Sequence, residues 1–445
     1  MKNSIKPNIL LITTDQQHAR LMSCAGDASV KTPNLDKLAG LGVRFTKAYS
    51  PNPVCVPCRY SWFTGYMPHV FNGMETNCKR DPSGLPKINE SIDSPTLGAI
   101  FKDAGYNVAL GGKHHAGPEY DYQKYMEKEF VFEYVTNHRD TEPLADCCID
   151  YLQRKHDKPF LLWVSFDNPH DICKFLRKDI PDDIDVSTLP ELPDNHQPTK
   201  NEIDWIARFR NGTLGDEESI ELGLNRRFSV ESRGWDELTW RYYRKLYRDY
   251  MEDSDRQIGR VLDALESEGL SESTIVIFTS DHGDHDAAHQ LTMKRSFYEE
   301  SVNVPFIIKD PISKNVGVLN DECLICTGLD LIPTMCDYAG IIPPKELKGE
   351  SIKSIVDGES KKRDFVVSET VSGRMLRTSQ YKYMIYNNGP SEEMLFDLDA
   401  DPLEQNNIAK DEKRKEILLS HREKLRIWTH EYGDERGLFY LNQIV

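Results

Sequence analysis

Asn8-Ile-Leu-Leu-Ile-Thr-Thr-Asp15 is an apolar run that stops abruptly on a carboxylate. Such a short segment, rich in Ile and Leu and flanked by polar residues, reads as a strand covered on both faces. The pattern returns in Asn107-Val-Ala-Leu110, Pro159-Phe-Leu-Leu-Trp-Val-Ser-Phe-Asp167, Thr274-Ile-Val-Ile-Phe-Thr-Ser-Asp281 and Val304-Pro-Phe-Ile-Ile-Lys309. Helical patterns lie between these runs. Thr32-Pro-Asn-Leu-Asp-Lys-Leu-Ala offers a capping Thr and a Pro at the first helical position. Pro95 to Gly105 finishes on glycine, as a helix C-terminus does. Tyr242 to Gly269 is a long amphipathic stretch with Leu246, Tyr250, Ile258, Val261, Leu262 and Leu265 on one side. Strands alternating with helices predict an α/β fold, a large and mostly parallel sheet sandwiched by helices.

In such folds ligands bind outside the carboxyl ends of the strands. Asp15, His170 and Asp281 all fall at or just beyond such ends, so three separate strands deliver polar residues to one edge. Residues 173 to 240 break the alternation with Pro, Asp and Asn, and read as a long surface excursion. Its Trp205, Arg208, Arg210, Arg226, Arg227 and Arg233 are expected to line the approach to the site. After Pro343-Pro344 the texture changes to Asp364-Phe-Val-Val-Ser, Arg374-Met-Leu-Arg-Thr and Tyr381-Lys-Tyr-Met-Ile-Tyr, then a charged helix from about Lys410 to Glu431. That predicts a catalytic domain over 1–360 and a C-terminal subdomain over 361–445 with a small antiparallel sheet.

The chain of 445 residues is long enough for a large core plus a smaller one. A net charge of −17 argues against nucleic acid or an anionic membrane as partner. An anionic substrate then requires a local cluster of cations. No apolar run reaches membrane-spanning length, and the N-terminus lacks a secretory pattern, so a cytoplasmic chain is expected. The ten cysteines show no framework spacing and read mostly as small buried hydrophobes.

The chemistry concentrates in Asn52-Pro-Val-Cys-Val-Pro-Cys-Arg-Tyr-Ser-Trp-Phe-Thr-Gly65. Cys55 and Arg59 place a potential nucleophile four residues from a permanent cation, a pairing suited to an anionic ester. Cys55-x-x-Cys58 is also a redox or zinc spacing, with Cys323-x-x-Cys326 as a possible second half. Asp15, Asp281 and His282 at strand ends make a divalent-metal set, with Gln16 or Asn52 as a neutral oxygen ligand. Gly111-Gly-Lys-His-His115, Pro169-His170-Asp171 and Lys294-Arg295 supply, with Arg59, the basic cluster an acidic protein needs.

From about Asn8 to residue 430 the chain resembles the type I sulfatases of the alkaline-phosphatase superfamily. Cys55-Val-Pro-Cys-Arg59 matches their C-x-P-x-R signature, and Phe63-Thr-Gly65 the element that closes it. Gly112-Lys113-His114-His115, Asn168-Pro-His170, the segment Asp281-His-Gly through His289 to Lys294-Arg295, and Phe396-Asp-Leu-Asp-Ala-Asp-Pro402 match four further elements in order.

The resemblance implies an alkaline-phosphatase-like fold and hydrolysis of a sulfate ester on a small molecule or oligosaccharide. It implies that a maturation enzyme oxidises Cys55 to formylglycine, whose hydrate attacks sulfur and leaves a covalent sulfo-enzyme. Arg59, Lys113 and His115 would steady the hydroxyls and take the proton, while His170 and Lys294 bind the sulfate and protonate the leaving oxygen. His114 would face the substrate. Asp15, Gln16, Asp281, His282 and the matured Cys55 would bind a divalent metal, Ca²⁺ ahead of Mn²⁺ or Mg²⁺. The chain departs from the family at Cys58, usually Ser, Ala or Thr, at Gln16, often a second Asp, and at His114, often Trp. The rival readings are a phosphonate monoester or phosphodiester hydrolase of the same superfamily, a redox or zinc protein, and a binder whose Cys55 is never matured.

Overall fold

The computed structural model describes residues 6–71, 92–115, 123, 126–175, 180–214, 232–360, 362–387 and 389–444. Strand β1 (Asn8–Asp15) has all eight residues buried because it is paired on both edges. Leu11 lies opposite Trp163 of β6 (Phe160–Pro169) on one side and Ile277 of β7 (Thr274–Ser280) on the other, both parallel. A strand with neighbours on both edges and helices on both faces has no wet side, which is why its sequence does not alternate.

The remaining strands are β2 (Val43–Phe45), β3 (Ala48–Tyr49), β4 (Asn107–Gly112), β5 (Glu133–Thr136), β8 (Phe306–Lys309), β9 (Val318–Asn320) and β10 (Ile325–Cys326). The large sheet runs β5-β4-β6-β1-β7-β8-β2-β9, while β3 and β10 pair separately. Pairing is parallel from β5 to β7. β8 runs antiparallel to both β7 and β2, so the sheet is mostly, not wholly, parallel. Helices α1 (Pro33–Gly40), α2 (Cys55–Thr64), α3 (Leu97–Asp103) and α4 (Thr141–Leu152) cover it. Thr32 stands before α1 as expected but does not cap it. Its hydroxyl is taken by the Ser23 amide and hydroxyl, each at 2.9 Å.

Two expectations are corrected. The long amphipathic stretch is a helix, α6 (Glu237–Ser267), after a shorter α5 (Asp204–Arg210). Its buried face carries Tyr243, Tyr247, Met251, Ile258, Val261 and Leu265, with Leu246, Tyr250 and Leu262 only half-buried. The face rotates because Arg244 and Arg248 turn inward to Asp286, at 3.2 and 3.0 Å. In the excursion after residue 173, Trp205 does not line an approach. It is fully buried and stacked on Tyr386 at 4.5 Å, and Arg210 is spent on Glu202. Arg226 and Arg227 lie outside the described residues, and Arg233 is exposed.

Strands β11 (Phe365–Thr370), β12 (Gly373–Thr378), β13 (Tyr381–Asn387) and β14 (Ser391–Asp397) form an antiparallel sheet in sequence order. Helix α7 (Thr327–Ala339) precedes them, and α8 (Lys415–Tyr432) and α9 (Glu435–Asn442) follow. Arg374, fully buried in β12, makes two bonds to Asp434 just before α9, at 2.6 and 2.7 Å. His69, shortly after α2, ties that segment to this sheet and to α8. Its Nδ1 meets Glu369 at 2.8 Å and its Nε2 the Tyr432 carbonyl at 3.1 Å. Burial alone favours the neutral imidazole, yet Glu369 and Asp434 push it up to about 9. Among the described residues no helix is long and apolar enough to cross a membrane.

Candidate active site

Cys55 is the first residue of α2. Val54 before it is extended, with φ of −146°, so the helix begins with first-turn amides unspent and its positive end beside the thiol. Pro57 sits where a missing N–H costs nothing. Gly65 closes the helix in the left-handed region at φ of 77°.

Arg59, one turn on and completely buried, is the hub. Its Nε donates to Asp281 Oδ2 at 2.8 Å, Nη2 to Asp15 Oδ2 at 3.2 Å, and Nη1 to the Lys113 carbonyl and Ser165 Oγ at 2.7 and 2.8 Å. The ends of β1, β4 and β7 and the middle of β6 are thereby tied to one guanidinium. Lys113 Nζ is clamped between Asp15 Oδ2 at 2.9 Å and Asp167 Oδ1 at 2.5 Å. Gly112 makes this approach possible: its φ is +92°, and a Cβ there would lie 2.2 Å from the Ser165 carbonyl.

Asp15, Cys55, Asp281 and His282 offer ligand atoms that all lie within 4.8 Å of one another, and all four are buried. Cys55 Sγ is 3.1 Å from His282 Nε2 and 3.6 Å from Asp15 Oδ1. Lys294 Nζ sits among the same donors, 2.9 Å from Cys55 Sγ, 2.9 Å from Gln16 Oε1 and 3.1 Å from His282 Nε2. An ammonium nested in a carboxylate, amide and imidazole set marks a hole built for positive charge. The donors fit a divalent cation.

Gln16 is oriented from behind. Its Nε2 donates to Asp284 Oδ2 at 2.7 Å, and Tyr243 Oη donates to the same oxygen at 2.8 Å. Tyr247 Oη holds the Gln16 carbonyl at 2.5 Å. Gly283 allows the loop to pass, since a Cβ there would meet the Glu300 carbonyl at 1.9 Å. Asn52 is buried nearby in sequence, with neither amide atom hydrogen-bonded among the described residues.

Burial disfavours charge on Asp15, but Lys113, His170, Lys294 and Arg59 hold its carboxyl well below the usual range. Asp281 goes the other way, pushed up to about 6 by burial and by Asp15 beside it. Burial and Asp15 oppose a Cys55 thiolate, while Lys294, His282 and Lys113 outweigh them and hold the thiol well below its ordinary value. Cys58 is the reverse case, raised by burial and Asp281. The nine described cysteines are free thiols, Cys58, Cys323 and Cys326 among the buried ones. Burial lowers His115, with Cys55 acting against that shift, and its Nδ1 has no partner among the described residues.

Eight of the eleven described non-glycine residues with positive φ are Gln16, His115, Asp286, Ala287, His289, Gln290, Met293 and Arg295, so backbone strain gathers on the loops of this site. His170 follows the cis Asn168–Pro169 bond, half-buried and within the field of Asp15 and Lys113. His114 is buried edge-on against Tyr134 at 5.5 Å. The sequence reading did not single out Asp167, Ser165, Asp284, Tyr243 or Tyr247. Ser165, Asp167 and Asp284 stood in runs already quoted, but nothing in the sequence marked their partners.

A family profile described as Sulfatase matches residues 7–341, and one described as N-sulphoglucosamine sulphohydrolase, C-terminal, matches 287–431. The chain is 33% identical to a Delta 4,5-hexuronate-2-O-sulfatase of Bacteroides thetaiotaomicron, over 97% of this chain and 91% of that one. It is 30% identical to an ulvan-active sulfatase of Formosa agariphila, over 97% and 82%. A solved structure described as a 2-O GAG sulfatase superposes with a TM-score of 0.83 at 31% identity, covering 97% of this chain and 93% of that one.

Proposed function

The chain belongs to the sulfatase family, and on that premise we propose that it cleaves a sulfate ester borne by a sugar, using a formylglycine made from Cys55. It is a sulfuric ester hydrolase. The observation that carries the finer reading is the placement of Cys55 at a helix N-terminus, within reach of His282, Lys294 and Asp15 at once. The substrate class rests on the two relatives above, and a 2-O-sulfated uronate sugar is the first candidate.

Formylglycine is the atom-for-atom reason for a cysteine here, since its hydrate carries two hydroxyls, one to attack sulfur and one to release it. The maturation enzyme is a required partner. Asp15, Gln16, Asp281, His282 and the matured residue 55 would hold the cation, Ca²⁺ first, with Mn²⁺ favoured next by the His282 nitrogen; it would supply charge stabilisation at the nucleophile.

The chain's own groups do the rest. Arg59 fixes the two carboxylates and the start of α2 in one geometry. Lys113, held by Asp167, keeps a positive charge beside residue 55. His115, neutral because buried, takes the proton from the attacking or collapsing hydroxyl. Lys294 and His170 hold sulfate oxygens and meet the leaving oxygen, and His114 shapes the substrate face of its loop. We place the boundary between the catalytic domain and the C-terminal subdomain near residue 360.

Peptide mass spectrometry of the protein from its native host tests this, expecting residue 55 lighter than cysteine by the exchange of CH₂SH for CHO. An unmodified Cys55 would sink the mechanism. Paired assays on an aryl sulfate and an aryl phosphonate test the reaction, and preference for the phosphonate would overturn the substrate class.

A further inference from the structure

A second basic cavity lies on the same edge of the large sheet. It has a volume of about 400 Å³ and is walled by Arg20, Arg44, Lys47, Tyr49, Glu299 and Arg377. Thr46 and Lys47 follow β2, whose carboxyl end points the same way as those of β1 and β7. The cavity therefore stands two strands beyond β7, roughly 10 Å along the sheet. Segment 299–303 separates it from the metal-ligand loop, which it touches through Gly283 N and the Ser301 carbonyl at 2.8 Å.

Four cations around one cavity are unexpected in a chain of net charge −17. Neighbouring acids offset them only in part: Glu299 lines the cavity and acts on Arg377, Arg20 and Lys47. Glu299 is committed to Lys382 at 2.8 Å and to the Tyr49 hydroxyl at 3.2 Å. Lys382 also meets Glu404, at 2.6 Å. Glu300 pairs with Arg20 at 3.9 Å, and Asp321, Asp399 and Glu299 all act on Lys47 without a direct contact to it, so the excess of cations over acids is what remains.

Arg377 is the decisive residue. It is 3% exposed, its Nε donates to Tyr49 Oη at 2.8 Å, and its Nη1 donates to the Thr378 carbonyl. Its Nη2 has no hydrogen-bond partner among the described residues, yet the residue lines the cavity. A guanidinium braced by two bonds with one nitrogen left over is preorganised for an oxyanion. Lys47, whose one hydrogen bond among the described residues is to the Ser379 carbonyl at 3.2 Å, is pushed down by burial and by Arg377, a repulsion that a bound anion would relieve.

We propose that this cavity is a second oxyanion site, separate from the reaction centre, which binds a sulfate or carboxylate group between Arg377, Lys47 and Arg44. Its size suits a sugar-borne group as well as a free ion, pockets for small ligands running from roughly 300 to 1,000 Å³. The site stands on its own geometry and does not depend on how Cys55 reacts.

Crystals of the intact protein soaked in selenate would locate it by the anomalous signal of selenium. The expected result is a peak within hydrogen-bond distance of Arg377, lost in Arg377→Gln and in Lys47→Gln. Lys47→Gln guards against a folding defect at the more buried arginine. No peak in this cavity, or one that survives both substitutions as an adventitious ion only, would overturn the proposal. A peak beside residue 55 reports separately on the reaction centre. Kinetics then distinguish the sources of the anion. A several-fold rise in KM for a sulfated tetrasaccharide but not a monosaccharide in Lys47→Gln assigns the site to the substrate chain. Equal KM values with altered inhibition by inorganic sulfate assign it to the free ion.

Discussion

Lys294 Nζ lies 2.9 Å from Cys55 Sγ, so the proposed site of maturation and the cation that faces it are in direct contact across 239 positions of sequence. Lys294→Met removes the first cation stabilising the thiolate. In unmatured protein, the apparent pKa of Cys55, followed by thiolate absorbance, is expected to rise. In matured protein kcat/KM should fall by roughly 10²–10³, as for loss of a preorganised charge. An unchanged thiol titration would contradict the contact.

Arg59→Lys keeps the charge and loses the fork. A lysine reaches one of Asp281, Asp15, Ser165 and the Lys113 carbonyl, not all four. Breaking so buried a set should cost about 3–5 kcal/mol in denaturant unfolding. Cys55→Ala should abolish turnover while leaving unfolding within about 2 kcal/mol of the parent. The contrast separates the structural hub from the proposed nucleophile.

Gln16→Glu would set a second carboxylate against Asp284 Oδ2, where the amide now donates at 2.7 Å. We expect lower stability and weaker Ca²⁺ binding by calorimetry, despite the added negative charge. Asp284→Asn should rescue it, with a coupling of about 1–3 kcal/mol in a double-mutant cycle. Tighter Ca²⁺ binding in the single variant would show that Asp284 does not govern Gln16.

His69 links pH to stability through the tie between the segment after α2 and the C-terminal sheet. Its folded-state value is raised from 6.5 to about 9, so its stabilisation is complete below about pH 6.5 and is lost as pH rises through about 9. The loss should approach about 3 kcal/mol, read from chemical denaturation across that window. His69→Gln should flatten the slope there.

Much of the frame was legible because buried parallel strands have no wet face, and Asp15, His170 and Asp281 stand where such strands end. Strands β2, β5 and β9, of three or four residues, are too short to show periodicity. The face of α6 was misjudged because Arg244 and Arg248 look solvated in sequence, while the fold supplies Asp286 to neutralise both. The Gln16–Asp284–Tyr243 chain was hidden for a related reason. Its first bond joins residues 268 apart, and neither residue type predicts the other.

The bond between Arg374 and Asp434 bears on how the protein can be cut. A chain ended before Asp434 would keep every residue placed at the reaction centre, yet leave a guanidinium sealed inside β12 without its carboxylate. Trimming the last dozen residues would therefore act as a core lesion, and a soluble truncated product should resist proteases less than the whole chain.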